Sequence, residues 1–312
     1  MKLVTITLNP AIDEMITLAG LRPGHVHRAI GSQTHAGGKG VNVASCLADW
    51  GLEVTATGIL GAENAGVFEA LFTAKHIEDR FLRVAGATRT NIKLGHDGDT
   101  TDINLPGLRT APDAVTQVLE SALALGLADS LVVLAGSLPE GLAPDTYAGM
   151  ISVLTKAGAR VLLDVSGTPL NLALEGTSLP FAIKPNRAEL EAYCGHALPD
   201  HDSLIAAARQ FIARGMQLVV ISLGAEGALF VTAQQTLHAA LPALHAASTV
   251  GAGDAMVAGL VAAQAEALDL EKTACLATAF AVAKLGQAGP NLPPRSAVLA
   301  LADSVKITPL GV

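Results

Sequence analysis

Short apolar runs rich in leucine and β-branched residues alternate along this chain with stretches whose apolar positions recur at helical spacing. Residues 3–8 read as a buried first strand, 41–50 as a helix and 54–59 as a second strand. The theme repeats at 130–134, 160–164, 181–184 and 218–222, each run followed by a polar or Gly-containing turn and a helical pattern. Buried strands separated by helices predict a parallel sheet covered by helices. In such sheets ligands gather beyond the C-terminal strand ends, so Asn9, Gly136, Ser137, Asp164, Lys184, Ser222, Leu223 and Gly224 are candidates by position alone.

Two stretches break the alternation. Residues 12–33 and 88–105 read as paired, more polar strands, the second turning at Asp97-Gly98-Asp99. They predict a small sheet (12–35 and 88–105) that projects from a large domain (1–11, 36–87 and 106–312) and covers its site. The last third turns helical, over 254–267, 270–285 and 295–302. The sequence contains no internal repeat, low-complexity tract or linker.

Composition narrows the function classes. With 312 residues, half of them hydrophobic, the chain can bury a large core, which excludes disorder as the dominant state. Twenty basic against 28 acidic residues leave a net charge of −8. A nucleic-acid partner is therefore not expected, because affinity for a phosphate backbone needs Lys/Arg clusters; any anion must be handled at a local site. Cys46, Cys194 and Cys275 are far apart and odd in number, which fits neither a disulfide framework nor structural zinc. The N-terminus reaches Asn9 and Asp13 before any apolar run long enough for a signal peptide, and nowhere do about 18 apolar residues follow one another. The expectation is a soluble cytoplasmic protein with no membrane partner.

The most informative segment is 248–259, Ser-Thr-Val-Gly-Ala-Gly-Asp-Ala-Met-Val-Ala-Gly. Gly251 and Gly253 around Ala252 let the backbone approach a ligand closely, and a helix starts directly after, so its free N–H groups and positive dipole end would face an anion. Asp254 sits at that helix start. Alone, an aspartate there is more often a capping carboxylate. An anion hole and a carboxylate on one turn, however, suit phosphoryl transfer, with the carboxylate orienting or deprotonating the attacking hydroxyl. A dinucleotide fingerprint would need a glycine where Met256 stands, and a Walker A loop a Ser or Thr where Gly40 follows Lys39. Gly37, Gly38, Lys39, Gly40 and Asn42 precede another helix, either as a tight turn with a solvated lysine or as a polar pocket for sugar hydroxyls. Asp13 either terminates a strand or faces the ligand edge.

Gly37-Gly38-Lys39-Gly40-x-Asn42, Lys184-Pro185-Asn186-Arg187-x-Glu189, Ser222-Leu223-Gly224-Ala225-Glu226-Gly227 and residues 248–259 occur in an order and spacing that resemble the phosphofructokinase B branch of the ribokinase-like carbohydrate kinases. The resemblance covers nearly the whole chain. It implies a ribokinase-like three-layer αβα sandwich with a mostly parallel central sheet and a small projecting β-sheet lid. It also implies ATP-dependent phosphorylation of a ketohexose phosphate. The wording of residues 88–94, 101–104 and 248–254 points to D-fructose 1-phosphate, giving fructose 1,6-bisphosphate. Tagatose 6-phosphate or fructose 6-phosphate is the alternative acceptor, and a catalytically silent sugar-phosphate sensor the alternative of another class.

Position by position, the resemblance makes Asp254 the base and Gly251, Ala252 and Gly253 the anion hole for the γ-phosphoryl group. It assigns ATP to Lys184, Asn186, Ser222, Gly224, Gly227 and Ser248, and magnesium (Mg2+) with its waters to Asn186 and Glu189. Asp13, Gly37, Gly38, Lys39, Asn42 and Ser137 match sugar-contacting positions. Arg89 matches a residue that grips the phosphate already on the sugar, a task suited to a bidentate guanidinium. Without the resemblance, Arg89 reads equally as a solvated strand residue, Asn186 and Glu189 as a helix cap and a surface group, and Lys184 as a strand end. His25, His27 and His35 have no metal-ligand spacing and read as surface or lid residues. Some relatives carry a lid lysine on the sugar phosphate where this chain has Gly24-His25-Val26-His27-Arg28, which leaves Arg28 or a histidine as its substitute. A homodimer through the lid sheet is the expected assembly.

Overall fold

The structure is a computed structural model that describes residues 1–241 and 251–311. The first half of the chain forms β1 (Leu3–Thr7), β2 (Ala11–Thr17), β3 (Gly31–Gly37), α1 (Lys39–Asp49), β4 (Thr55–Gly61) and α2 (Gly66–Ala74). The short β5 (Glu78–Asp79) and β6 (Leu82–Val84) follow, then β7 (Thr90–His96), β8 (Asp99–Asn104), α3 (Pro112–Leu123), β9 (Leu131–Ala135) and α4 (Thr146–Lys156). Next come β10 (Arg160–Asp164), α5 (Thr168–Glu175), β11 (Ala182–Ile183), α6 (Arg187–Cys194), α7 (His201–Ala213) and β12 (Leu218–Ser222). The chain ends with β13 (Ala228–Val231), β14 (Thr236–Ala240), α8 (Ala252–Ala265), α9 (Leu270–Lys284), α10 (Arg295–Ala302) and β15 (Lys306–Leu310).

The main sheet runs β15-β14-β13-β12-β11-β10-β9-β1-β4-β5, with β6 also paired to β4. From β12 to β5 every pairing is parallel, and β13, β14 and β15 extend the other edge antiparallel. Successive residues of a strand point to opposite faces, and both faces here are covered. Leu131, Val133 and Ala135 of β9 join Leu162, Val220 and Phe230 in a core shared with α1, α8 and α9. Their neighbours Val132 and Leu134 join Val161, Leu163 and Ile221 in a second core with α3, α4, α5 and α7. This is the expected three-layer αβα arrangement, and it explains why the central strands are apolar throughout rather than alternating.

A second sheet runs β3-β2-β7-β8, with β2 antiparallel to β3 and parallel to β7. The hairpin from β7 to β8 turns at Asp97 (φ 52°) and Gly98 (φ 86°), the left-handed pair that a two-residue turn needs. Two corrections follow for the sequence reading. Asp13 does not close the first strand: β1 ends at Thr7, and Asp13 lies on β2 of the small sheet. The last third is not wholly helical, because β15 follows α10. Mostly exposed and carrying Pro309, β15 is an edge strand without the buried apolar signature of the central ones. Among the described residues no helix is long and apolar enough to cross a membrane.

Candidate active site

α8 is entered from Gly251, whose left-handed φ of +81° suits glycine, and no side chain among the described residues caps the turn. Asp254, the third residue of α8, is buried. Its Oδ2 accepts a hydrogen bond from Asn42 Nδ2 at 2.7 Å instead of capping its own helix. Burial, and then the carboxylate of Asp164, push the Asp254 pKa up to about 6, against the pull of Asn42, Lys39 and Lys184. Such a carboxylate is a proton acceptor tuned close to neutrality. Asn42 reaches it because α1 packs close to β1: a Cβ on Gly40 would stand 2.3 Å from Thr7 Oγ1.

Asp164 closes β10 and is buried. One of its oxygens, Oδ1, meets Lys39 Nζ at 3.3 Å and Lys184 Nζ at 3.4 Å, while Oδ2 is buried without a partner among the described residues. Burial disfavours the charge of Lys39, but Asp164, Asp254 and Glu189 together outweigh it and raise its pKa above the ordinary value. Two ammoniums thus converge on one shared carboxylate at these strand ends, each with N–H donors to spare for an anion. Lys184 also lies against the α8 turn, its Nζ 3.4 Å from where a Cβ on Gly253 would stand.

A polar cluster lies where the two sheets meet. Asn9 Nδ2 donates to Ser137 Oγ at 3.0 Å, and Arg89 Nη2 donates to the Asn9 carbonyl at 3.3 Å. Asp13 pairs with Lys93 at 2.9 Å and accepts from Asn91 Nδ2 at 3.3 Å. Gly37 leaves room for it, since a Cβ there would be 2.8 Å from Asp13 Oδ2, and Gly38 enters α1 at φ +108°. A cavity of about 370 Å³ is lined by Asp13, Asn42, Lys93, Gly251 and Lys284.

The remaining expected residues have varied placements. Asn186 and Glu189 form a reciprocal cap on α6: Asn186 Oδ1 accepts from the Glu189 N–H at 2.8 Å, and Glu189 Oε2 accepts from the Asn186 N–H at 2.9 Å. Asn186 is bridged to Ser222, and Gly224 and Gly227 take left-handed φ values of 63° and 95° in the turn after β12. A Cβ on Gly227 would stand 2.1 Å from the Ala239 carbonyl oxygen. Ser248 lies outside the described residues. Arg28 is exposed, and His27 hydrogen-bonds the backbone of Arg22. His35, expected as a surface or lid residue, lies on β3 of the small sheet and lines the cavity.

The sequence pattern does not mark Lys93, Asn91 or Lys284 as site residues, and it marks Asp164 by position alone. The signals are faint but physical. Asn91 and Lys93 are two residues apart in β7 and so share a face with the side chain of Asp13 across the pair of strands. Lys284 continues the buried stripe of Ala277 and Phe280 on α9, where a charge is out of place.

The chain is similar to known carbohydrate kinases over nearly its whole length. The family model described as pfkB family carbohydrate kinase matches residues 6–297. The chain is 53% identical to a 1-phosphofructokinase of Xanthomonas campestris pv. campestris, across 99% of this chain and 94% of that protein. It is 46% identical to a 1-phosphofructokinase of Rhodobacter capsulatus, across 99% and 98%. Among solved structures, phosphofructokinase-2 from Escherichia coli in complex with substrates and products superposes with a TM-score of 0.90 at 27% identity, covering 97% of this chain and 99% of that one.

Proposed function

The chain belongs to the pfkB family of carbohydrate kinases, and on that premise we propose that it transfers the γ-phosphoryl group of ATP to D-fructose 1-phosphate, yielding ADP and fructose 1,6-bisphosphate. The observation that carries this reading is Asp254: a buried carboxylate with its pKa near 6, on the first turn of α8, hydrogen-bonded to Asn42. In the reaction the acceptor hydroxyl gives its proton to Asp254 as its oxygen attacks phosphorus. The free N–H groups at Gly251, Ala252 and Gly253 take the charge that spreads over the phosphoryl oxygens.

Lys39 and Lys184, sharing Asp164, face the anionic phosphates, with Asn186, Ser222, Gly224, Gly227 and Ser248 assigned to the nucleotide. Arg89, Asn9 and Ser137 form the end that holds the phosphate already on the sugar. Asp13, Gly37, Gly38 and Asn42 take its hydroxyls. The small sheet acts as a lid that excludes water, without which the phosphoryl group would be lost by hydrolysis. The exposed Val26 and Ile30 in the β2–β3 connection, with Ile103 and Leu105 by β8, support a homodimer packed through this sheet.

The donor chemistry fits a magnesium ion near Asn186 and Glu189. Glu189 uses Oε2 for the cap, and Asp164 Oδ2 has no partner among the described residues. No group of three or more His, Cys, Asp or Glu that could hold a metal occurs among the described residues, so such an ion would be met largely through water and phosphate oxygens. When bound it would screen the triphosphate charge. The test is an ADP-release assay with fructose 1-phosphate, fructose 6-phosphate and tagatose 6-phosphate beside Asp254→Asn. Fructose 1-phosphate is expected to give the highest kcat/KM. Preference for either 6-phosphate would reassign the acceptor, and no turnover of any sugar phosphate would leave a silent sensor.

A further inference from the structure

The turn that opens α8 is flanked by two lysines. Lys184 lies against Gly253. Lys284, the last residue of α9, lies against Gly251, where a Cβ would stand 3.3 Å from its Cε and 3.9 Å from its Nζ. Lys284 is only 7% exposed, and its Nζ donates to the Gln287 carbonyl at 2.9 Å. Lys184 has Asp164 as its ion-pair partner; Lys284 has none among the described residues.

The end of α9 gives a cation there one reason, since the last carbonyls of a helix attract positive charge. That reason would be served as well by a lysine reaching into water. Lys284 instead buries its ammonium beside the positive end of α8. Burial lowers its pKa, and so does Lys93, against the opposing pull of Cys46 and Asp254. It also forms part of the cavity wall with Asp13, Asn42 and Lys93. Two like-charged features held together away from solvent are disfavoured until an anion joins them.

Resting on the kinase reading above, we propose that Lys284 is a catalytic residue that holds the transferred phosphoryl group on the acceptor side. In the transfer, the bond between the γ-phosphorus and the ADP bridging oxygen breaks and its electron pair stays with ADP. A bond forms from the sugar hydroxyl oxygen to phosphorus, and the hydroxyl proton passes to Asp254. Lys184, next to the nucleotide positions, faces the group as it leaves ADP. Lys284, in the wall shared with Asp13 and Asn42, faces it as it arrives on the sugar. Neither lysine exchanges a proton. Lys284 therefore favours the late transition state and the bisphosphate over the ground state.

Lys284→Gln tests this, because glutamine removes the charge while its amide, one bond shorter than the lysine chain, still offers an N–H on the side of the Gln287 carbonyl. The expected kcat with fructose 1-phosphate falls about 100-fold, the typical loss on removing one transition-state donor. KM for ATP and for the sugar stays within about threefold, and the product-inhibition constant of fructose 1,6-bisphosphate rises about tenfold. Lys284→Arg keeps the charge and retains activity within about tenfold of wild type. A wild-type kcat and product affinity in Lys284→Gln, or an equal loss in Lys284→Arg, overturns the assignment. Lys284→Met repeats the measurement with a second neutral side chain should the first variant fold poorly, and a wild-type kcat there is equally fatal. A wild-type protein inactive on every sugar phosphate would sink the kinase reading itself; an active one with an indifferent Lys284 would sink only this residue's role.

Discussion

Asp254→Asn separates what this carboxylate costs the fold from what it does in the chemistry. With its pKa raised from an ordinary 3.8 to about 6 in the folded protein, Asp254 binds its proton more tightly folded than unfolded. Between those two values the folded chain carries the proton and the unfolded chain does not. Stability therefore falls as pH rises through that window, and above it the buried anion costs about 3 kcal/mol. Asparagine removes the cost, and its amide oxygen can still accept from Asn42 Nδ2. The variant should be more stable than wild type by up to about 3 kcal/mol near pH 8, with the advantage gone near pH 3, where the wild-type carboxyl is neutral in both states. If the same group is the base, wild-type kcat/KM should rise with pH around a midpoint near 6 and drop about tenfold from pH 7 to pH 5. Asp254→Asn should lose about 10²- to 10⁴-fold in activity, the usual worth of a positioned base. Urea denaturation and an ADP-release assay over the same pH series check both arms. A midpoint below about pH 4.5, or an asparagine variant less stable than wild type at about pH 8, would refute the reasoning.

Asp164→Asn should leave the ammoniums of Lys39 and Lys184 without their shared carboxylate, at a cost of about 3–5 kcal/mol in denaturation experiments. Because Asp164 helps to raise the Asp254 pKa, the acid limb of kcat/KM should also move to lower pH, a shift that general destabilisation would not produce. Arg89→Ala should raise KM for the sugar phosphate about 10- to 100-fold, as expected for lost charge-assisted hydrogen bonds, and leave KM for ATP unchanged in steady-state kinetics.

What was legible in advance follows from where the free energy lies. The central strands had to be apolar on both faces because helices cover both, so β1, β4, β9, β10 and β12 announce themselves by composition alone. At the antiparallel edge β13 (Ala228–Val231) is as apolar and buried as the central strands, whereas β15 carries no such mark. β15 is largely exposed, and its register is set by pairing with β14 rather than by burial of its own side chains. The small sheet is visible mainly through its turn: Asp97-Gly98 supplies the left-handed pair of a tight hairpin even though all of β8 is exposed.

The site divides along a similar line. Groups whose work is done by backbone, such as the small residues opening α8 or the glycines before α1, must be written locally, because only glycine fits their φ values and close approaches. Charge partnerships need not be. Asp164 is one aspartate at the end of one apolar strand, and only the folded sheet brings it to Lys39 and Lys184, neither of which lies near it in sequence. Lys284 is the sharper case, since on sequence alone a lysine at the end of a helix is the ordinary complement to the dipole. What distinguishes it is that α9 packs against α8, so the buried end of one helix delivers its ammonium to the opening turn of the other. Asn186 and Glu189 show the converse. Their spacing reads as a cap and the structure makes it one, so any service to a metal must come from oxygens that the cap leaves over. Motifs therefore mark where a ligand's backbone partners stand, while tertiary packing decides which charges are spent within the protein and which stay available to a phosphate.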